Sequence, residues 1–141
     1  VDDFNNIYKL KRGINISYKN DGKNKYLIYG IENRIEQIIA NLLDNAISFS
    51  DDNKDVIVQV SKSEDNKVYI KILDEGQGFK EKDTNKIFKR FYSNRPDKFG
   101  QHSGLGLNIV KNLIDLHNAT IKATNREDKK GASMEIEFPK V

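Results

Sequence analysis

The sequence predicts an α+β domain in which a layer of helices covers one face of a mixed sheet. Three observations carry that prediction. Short stretches rich in β-branched and aromatic residues, several with period-two alternation, recur along the chain. Two longer stretches, 31–49 and 105–116, place apolar residues at helical spacing. Strands and helices also come in runs rather than in strict alternation, which argues against a doubly wound parallel sheet.

Taken in order, residues 1–12 read as a connector and 13–141 as one domain. Residues 14–18 alternate like a strand, and 26–29 read as a second, with N-D-G-K-N at 20–24 as the turn between them. A helix follows over 31–49. Strands are expected at 56–60 and 68–73, separated by S-E-D-N-K. Residues 80–103 are polar and irregular except for a short helical patch at 87–92. The apolar helix 105–116 comes next, then strands at 120–124 and 134–138 around a charged turn.

The bounds on function are simple. A chain of 141 residues buries one core. Its net charge of +3 is spread among acids and not gathered into a basic stripe, which disfavours nucleic acid. The absence of cysteine removes disulfides and thiolate metal sites. No apolar run reaches membrane-spanning length, and no signal peptide opens the chain. The start V-D-D-F, without an initiator methionine, fits a domain excised from a larger protein.

Three motifs in a fixed order point to chemistry. They are N-L-L-D-N-A at Asn41–Ala46, D-E-G-Q-G at Asp74–Gly78 and S-G-L-G-L at Ser103–Leu107. On the first helix Ile31, Ile35, Ile38, Ile39, Leu42, Leu43, Ala46 and Phe49 form one apolar stripe. Gln37, Asn41, Asp44, Asn45 and Ser48 form a polar one. A solvated face would favour Lys and Glu, which are better helix formers than Asn. Short oxygen-bearing groups instead suit magnesium and phosphate-bound water. The plainer alternative is an exposed helix edge in an Asn-rich chain.

Asp74 stands where a strand ends in a glycine turn, so its carboxylate is aimed into whatever pocket the turn borders. It can accept a hydrogen bond from an exocyclic amine such as that of adenine, worth roughly 1.5–3 kcal/mol. Gly76 and Gly78 allow positive φ and close approach of a ligand to the backbone. Gly104 and Gly106 open an apolar helix whose backbone N–H groups attract anions. Each glycine pattern taken alone is more often a surface turn or a linker. The 80–103 segment is long for a loop in a compact domain and reads as a lid. F-K-R-F-Y at Phe88–Tyr92 supplies aromatics to dock on the body, and Arg90, Arg95 and Lys98 supply charge for phosphate.

These residues resemble the catalytic ATP-binding domain of sensor histidine kinases, in the Bergerat-fold superfamily, over about 14–139. N-L-L-D-N-A resembles the asparagine box, D-E-G-Q-G the first glycine box, F-K-R-F-Y the phenylalanine box and G-L-G-L the second glycine box. The stretch F-Y-S-N-R-P-D-K-F-G-Q-H-S-G-L-G-L is most similar to alphaproteobacterial envelope-stress sensor kinases. The resemblance implies a two-layer α/β sandwich, its sheet mainly antiparallel, with ATP beneath a lid.

It also implies roles. Asn45 would ligate Mg2+ with Asn41 beside it, and Asp74 would hold the adenine amine. Gly76 and Gly78 would shape the base pocket and Tyr92 would cover the base. Ser103, Gly104, Leu105, Gly106 and Leu107 would border the phosphates, with Arg90 and Arg95 as lid cations. The implied partners are the same protein's dimerisation hairpin, which carries the phosphoacceptor histidine, in a full-length homodimer, and a response regulator. The implied setting is a cytoplasmic domain of an inner-membrane protein, anchored only through segments outside this chain.

The chain departs from the pattern at Ser48, where many members carry Lys or Arg, and at Ala132, where Thr or Ser is frequent. Neither His102 nor His117 lies in a phosphoacceptor motif, and His117 reads as a helix cap. Other readings remain: an anti-sigma-factor-type serine kinase, a non-catalytic nucleotide-sensing module, and, further off, gyrase-like or chaperone-like ATPases. The last group uses a glutamate base near the position of Asn41.

Overall fold

A computed structural model describes residues 15–22, 28, 30–50, 53–79, 88 and 105–140, and of Asn15 and Leu105 the backbone alone. Its elements are β1 (Asn15–Asn20), α1 (Glu32–Phe49), β2 (Asp55–Lys62), β3 (Val68–Leu73), α2 (Leu105–Leu116), β4 (Thr120–Asn125) and β5 (Ala132–Phe138). The five strands form one sheet in the order β1-β2-β3-β5-β4. β1 and β2 pair in parallel, and the other three pairings among the described residues are antiparallel. A parallel pair needs a crossover, and α1 supplies it. The mixed, mainly antiparallel sheet under helices is the architecture expected. Of the expected second strand at 26–29, all but Ile28 lie outside the described residues.

Period two along the strands sorts the two faces. Val56, Val58, Val68, Ile72, Met134, Ile136 and Phe138 point to the helix layer and are at most 4% exposed. The helices answer with Ile38, Leu42, Leu43 and Ile47 from α1 and Val110 and Ile114 from α2, all at most 1% exposed. Each such side chain stabilises by about 1.5–3 kcal/mol when fully buried. Ile47 falls outside the single stripe read from the sequence, and it is buried because α1 is enclosed on more than its sheet-facing side. Ile31, placed in that stripe, is instead the exposed residue that precedes the helix.

The other face is polar. Lys71 and Glu135, cross-strand partners, form an ion pair at 3.6 Å. An open cavity of about 500 Å³ lies over this face, lined by Gln59, Lys122, Thr124 and the β4–β5 turn among others.

The far ends of the helices are tied together by His117. The Ile31 N–H donates to His117 Nε2 at 3.2 Å, and His117 Nδ1 lies 2.7 Å from the Leu113 carbonyl oxygen. An accepting Nε2 leaves the proton on Nδ1, so the ring is the neutral Nδ1–H tautomer. Asn118, at φ 56, turns the chain out of α2, with Asn118 N–H on Asp115 and Ala119 N–H on Ile114. His117 is therefore a cap, as expected, but one that serves two helices. Gly30 makes room for it: a Cβ there would stand 2.7 Å from His117 Cδ2.

Candidate functional site

β3 ends at Leu73, and its alternation turns Asp74 to the helix side, in line with Ile70 and Ile72. The carboxylate is 3% exposed. Asp74 Oδ1 accepts the N–H groups of Gly76 and Ala132, both at 3.0 Å. The Asp74 N–H in turn donates to the Ala132 carbonyl at 3.0 Å. Ala132 thus contributes through its backbone, while its methyl is packed at 1% exposure.

The glycine turn is held on every side. Gly76 pairs with Ser50 in an isolated antiparallel bridge, and the Glu75 N–H reaches Ser50 Oγ at 3.4 Å. That contact draws the C-terminal end of α1 to the turn. Gly78 sits at φ 77, and a Cβ there would fall 2.6 Å from Asn125 Oδ1. Gly131, at φ 144, lies so close that its Cβ would stand 2.0 Å from the Asp74 carbonyl oxygen. Both positions require glycine.

Glu75 is held between the start of β2 and the β4–β5 turn. Its Oε2 accepts the Asp55 N–H at 2.8 Å, and Lys129 Nζ lies 3.2 Å from Oε1. The Asp55 N–H, followed by Lys129, holds the Glu75 carboxyl below its ordinary 4.5.

Asn45 lies a little more than one turn before Ser50 on α1. It is buried at 7% exposure, and among the described residues its carboxamide makes no hydrogen bond. Asn41, one turn earlier and half-buried, shares its face. An unpaired buried amide costs about 1–3 kcal/mol unless a ligand or water answers it. Ser48 is half-buried and Asp44 exposed on the same side of the helix.

At the start of α2, Gly106 is exposed, with open space where a Cβ would be. Leu107 packs against the core, so its side chain serves the fold. Leu105 is placed by backbone only. Tyr92, Arg90, Arg95, Lys98, His102, Ser103 and Gly104 lie outside the described residues. Within the phenylalanine box Phe88 is described, at 6% exposure in the core. Its carbonyl accepts Asn108 Nδ2 at 3.3 Å. Sequence reasoning missed Asn125 and Arg126, and gave Gly131 no role of its own. A lone glycine in the charged turn before β5 was the available signal.

Among the described residues two helices cover a five-stranded mixed sheet, with a pinned carboxylate and a buried helical amide on the side that joins them, and this defines the class: a two-layer α/β sandwich. Residues 30–141 match the family described as histidine kinase-, DNA gyrase B- and HSP90-like ATPase, and the chain belongs to it. Within that family it is a histidine kinase ATPase catalytic domain, homologous to sensor kinases.

The Sensor protein ChvG of Agrobacterium fabrum is 36% identical over 138 residues, covering 93% of this chain and 23% of ChvG. The chain therefore spans under a quarter of that relative's length. The catalytic domain of histidine kinase ThkA superposes with a TM-score of 0.80 at 25% identity, covering 97% of this chain and 86% of that one. ThkA is also solved in complex with the response regulator protein TrrA, with a TM-score of 0.78 at 23% identity, over 98% of this chain and 37% of that one. The mycobacterial sensor histidine kinase MprB shares the fold, with a TM-score of 0.80 at 22% identity over 98% of this chain and 90% of that one. Among the described residues no helix is long and apolar enough to cross a membrane.

Proposed function

We propose that this domain binds Mg-ATP and donates the γ-phosphate to a histidine on a separate dimerisation hairpin, for relay to an aspartate of a response regulator. The observation that carries the reading is the buried Asn45 carboxamide, unpaired among the described residues, on the helix end that meets the Asp74–Gly78 turn. Asp74 fits an adenine amine as a buried acceptor already fixed by two N–H donors. Among the described residues no group of three His, Asp or Glu stands ready for a metal, so a divalent ion would arrive with the phosphates.

Magnesium, when bound, supplies charge neutralisation for phosphoryl transfer. The chain's own part is positioning. Asp74 orients the base, the glycine turn admits it against the backbone, and Asn45 with Asn41 faces the polyphosphate side. Gly106 leaves the first turn of α2 open to phosphate oxygens. Arg90 and Arg95 would add lid charge, Tyr92 would cover the base, and Ser103 and Gly104 would border the phosphates. In the transfer a histidine ring nitrogen bonds to the γ-phosphorus and ADP leaves. The regulator reading is supported by the ThkA–TrrA complex. Membrane attachment would come through segments outside this chain.

The test is ATP affinity by calorimetry with and without magnesium, followed by addition of a dimerisation hairpin from a ChvG-type kinase. Magnesium-dependent binding and an acid-labile phosphohistidine on the hairpin are expected. Tight binding with no transfer would replace this reading with a nucleotide-sensing module, for which Ser48 and Ala132 are the supporting features.

A further inference from the structure

We propose that Asn125 and Arg126, where β4 ends, are positioning residues that grip both ends of the 74–79 turn and so set the selectivity of the site for adenine. The proposal rests on the nucleotide reading above. Consecutive strand residues point to opposite faces, so the pair approaches the turn from two sides.

Asn125 holds the far end. Its Oδ1 accepts the Phe79 N–H at 2.7 Å and its Nδ2 donates to the Phe79 carbonyl at 3.1 Å. Arg126 holds the near end, with Nη1 donating to the Asp74 carbonyl at 3.1 Å. The rest of the guanidinium is committed to Asp128, Nε to Oδ1 at 3.0 Å and Nη2 to Oδ2 at 2.8 Å. This is the two-pronged carboxylate fork that fixes an arginine in one orientation. The Arg126 side chain is only 3% exposed, whereas that of Asp128 is 64% exposed.

All three guanidinium nitrogens of Arg126 are thus engaged within the chain, and its main-chain N–H closes the β4–β5 turn on the Gly131 carbonyl at 2.9 Å. Close packing backs the grip: the Gly131 Cβ position is 3.0 Å from Arg126 Cδ, and that of Gly78 is 2.6 Å from Asn125 Oδ1.

The turn between the grips contains two glycines, and one of the two donors that fix Asp74 Oδ1, the Gly76 N–H, lies within it, so backbone freedom there would loosen the carboxylate. Recognition of one exocyclic amine needs its acceptor held to within about 0.5 Å. Triphosphate binding makes no such demand on this turn. Loosening the grip should therefore cost the amine contact and spare the phosphate contacts.

The experiment uses the full chain with Asn125→Ala and Asp128→Ala. The second is a surface change that frees Arg126 without opening the core. Affinities for ATP and for purine riboside triphosphate, which lacks the 6-amino group, are measured by calorimetry. Amide exchange of Gly76 and Phe79 is followed by NMR. The preference of the unmodified chain for ATP should fall roughly tenfold in both variants, the size of one charge-assisted hydrogen bond. Affinity for the amine-free analogue should hold. Phe79 should exchange faster in Asn125→Ala, and Gly76 in Asp128→Ala.

Equal loss for both nucleotides, or an unchanged preference in folded variants, overturns the proposal. Failure of the unmodified chain to bind ATP refutes the nucleotide reading and the selectivity with it. Unchanged protection of Gly76 and Phe79 overturns the grip itself.

Discussion

Asp74 and Ala132 are bonded to each other twice: the Asp74 N–H to the Ala132 carbonyl, and the Ala132 N–H to Asp74 Oδ1, each at 3.0 Å. The pair joins the end of β3 to the start of β5, and Gly76 adds a second donor to the same Oδ1. One side-chain oxygen is thereby committed to structure, and the position of its twin is fixed.

Asp74→Asn exploits this asymmetry. Two N–H donors require an oxygen at the Oδ1 position, so the asparagine must place its NH2 where Oδ2 was. An acceptor becomes a donor while the bonds from Gly76 and Ala132 survive. ATP affinity should fall by about 1.5–3 kcal/mol, or ten- to a hundredfold, with melting little changed. Calorimetry and a thermal melt check both halves. Unaltered affinity would remove Asp74 from the base pocket.

Gly131→Ala tests the same joint sterically. The new methyl would fall 2.0 Å from a backbone oxygen, at a φ of 144 that side chains rarely adopt. Neither the Asp74 carbonyl nor the turn can yield without breaking the β3–β5 register. A loss of at least about 3 kcal/mol, or roughly 10 °C in Tm, is expected, and ATP binding should weaken with it.

The parts of this site that were legible in the sequence are those with a local signature. Asn41 and Asn45 stand one turn apart on a helix whose apolar pattern fixes its orientation. Asp74 is set by period two along 68–73. The joint around them was not legible, because Asn125 meets Phe79 across 46 residues and Arg126 meets Asp74 across 52. No periodicity encodes such contacts. Ala132 shows the same limit from the other side. The sequence offers a missing hydroxyl there, while the structure uses a backbone N–H that any residue would have. Ile47 escaped the single-stripe reading because α1 is covered on more than its sheet-facing side, and a wheel drawn for one buried face cannot show that.

Asn45→Ala should move stability and function in opposite directions. The Asn45 carboxamide is buried and without a hydrogen bond among the described residues, and it stands within the helix, a turn before its last residue, where Ala has the better propensity. Removing it relieves an unpaired polar group, so Tm should hold or rise by a few degrees, consistent with a gain of up to about 1 kcal/mol. Magnesium-dependent ATP binding should vanish in the same variant. A variant that loses both stability and binding would mark Asn45 as a packing residue.

Glu75 gives the domain an acid limb. Its carboxyl is held below 4.5, first by the Asp55 N–H and then by Lys129. A carboxylate with a depressed folded pKa contributes stability that is fully present above its unfolded value. That contribution is lost as pH falls through the folded one. The native chain should therefore keep a flat Tm from neutrality down to about pH 5 and lose stability below it. Glu75→Gln keeps an oxygen for the Asp55 N–H but not the charge opposite Lys129. It should lower Tm modestly at pH 7, and the two proteins should converge as the pH falls below the folded pKa of Glu75. Melting both across that range decides the matter, and parallel curves at every pH would exclude Glu75 as a source of the acid sensitivity.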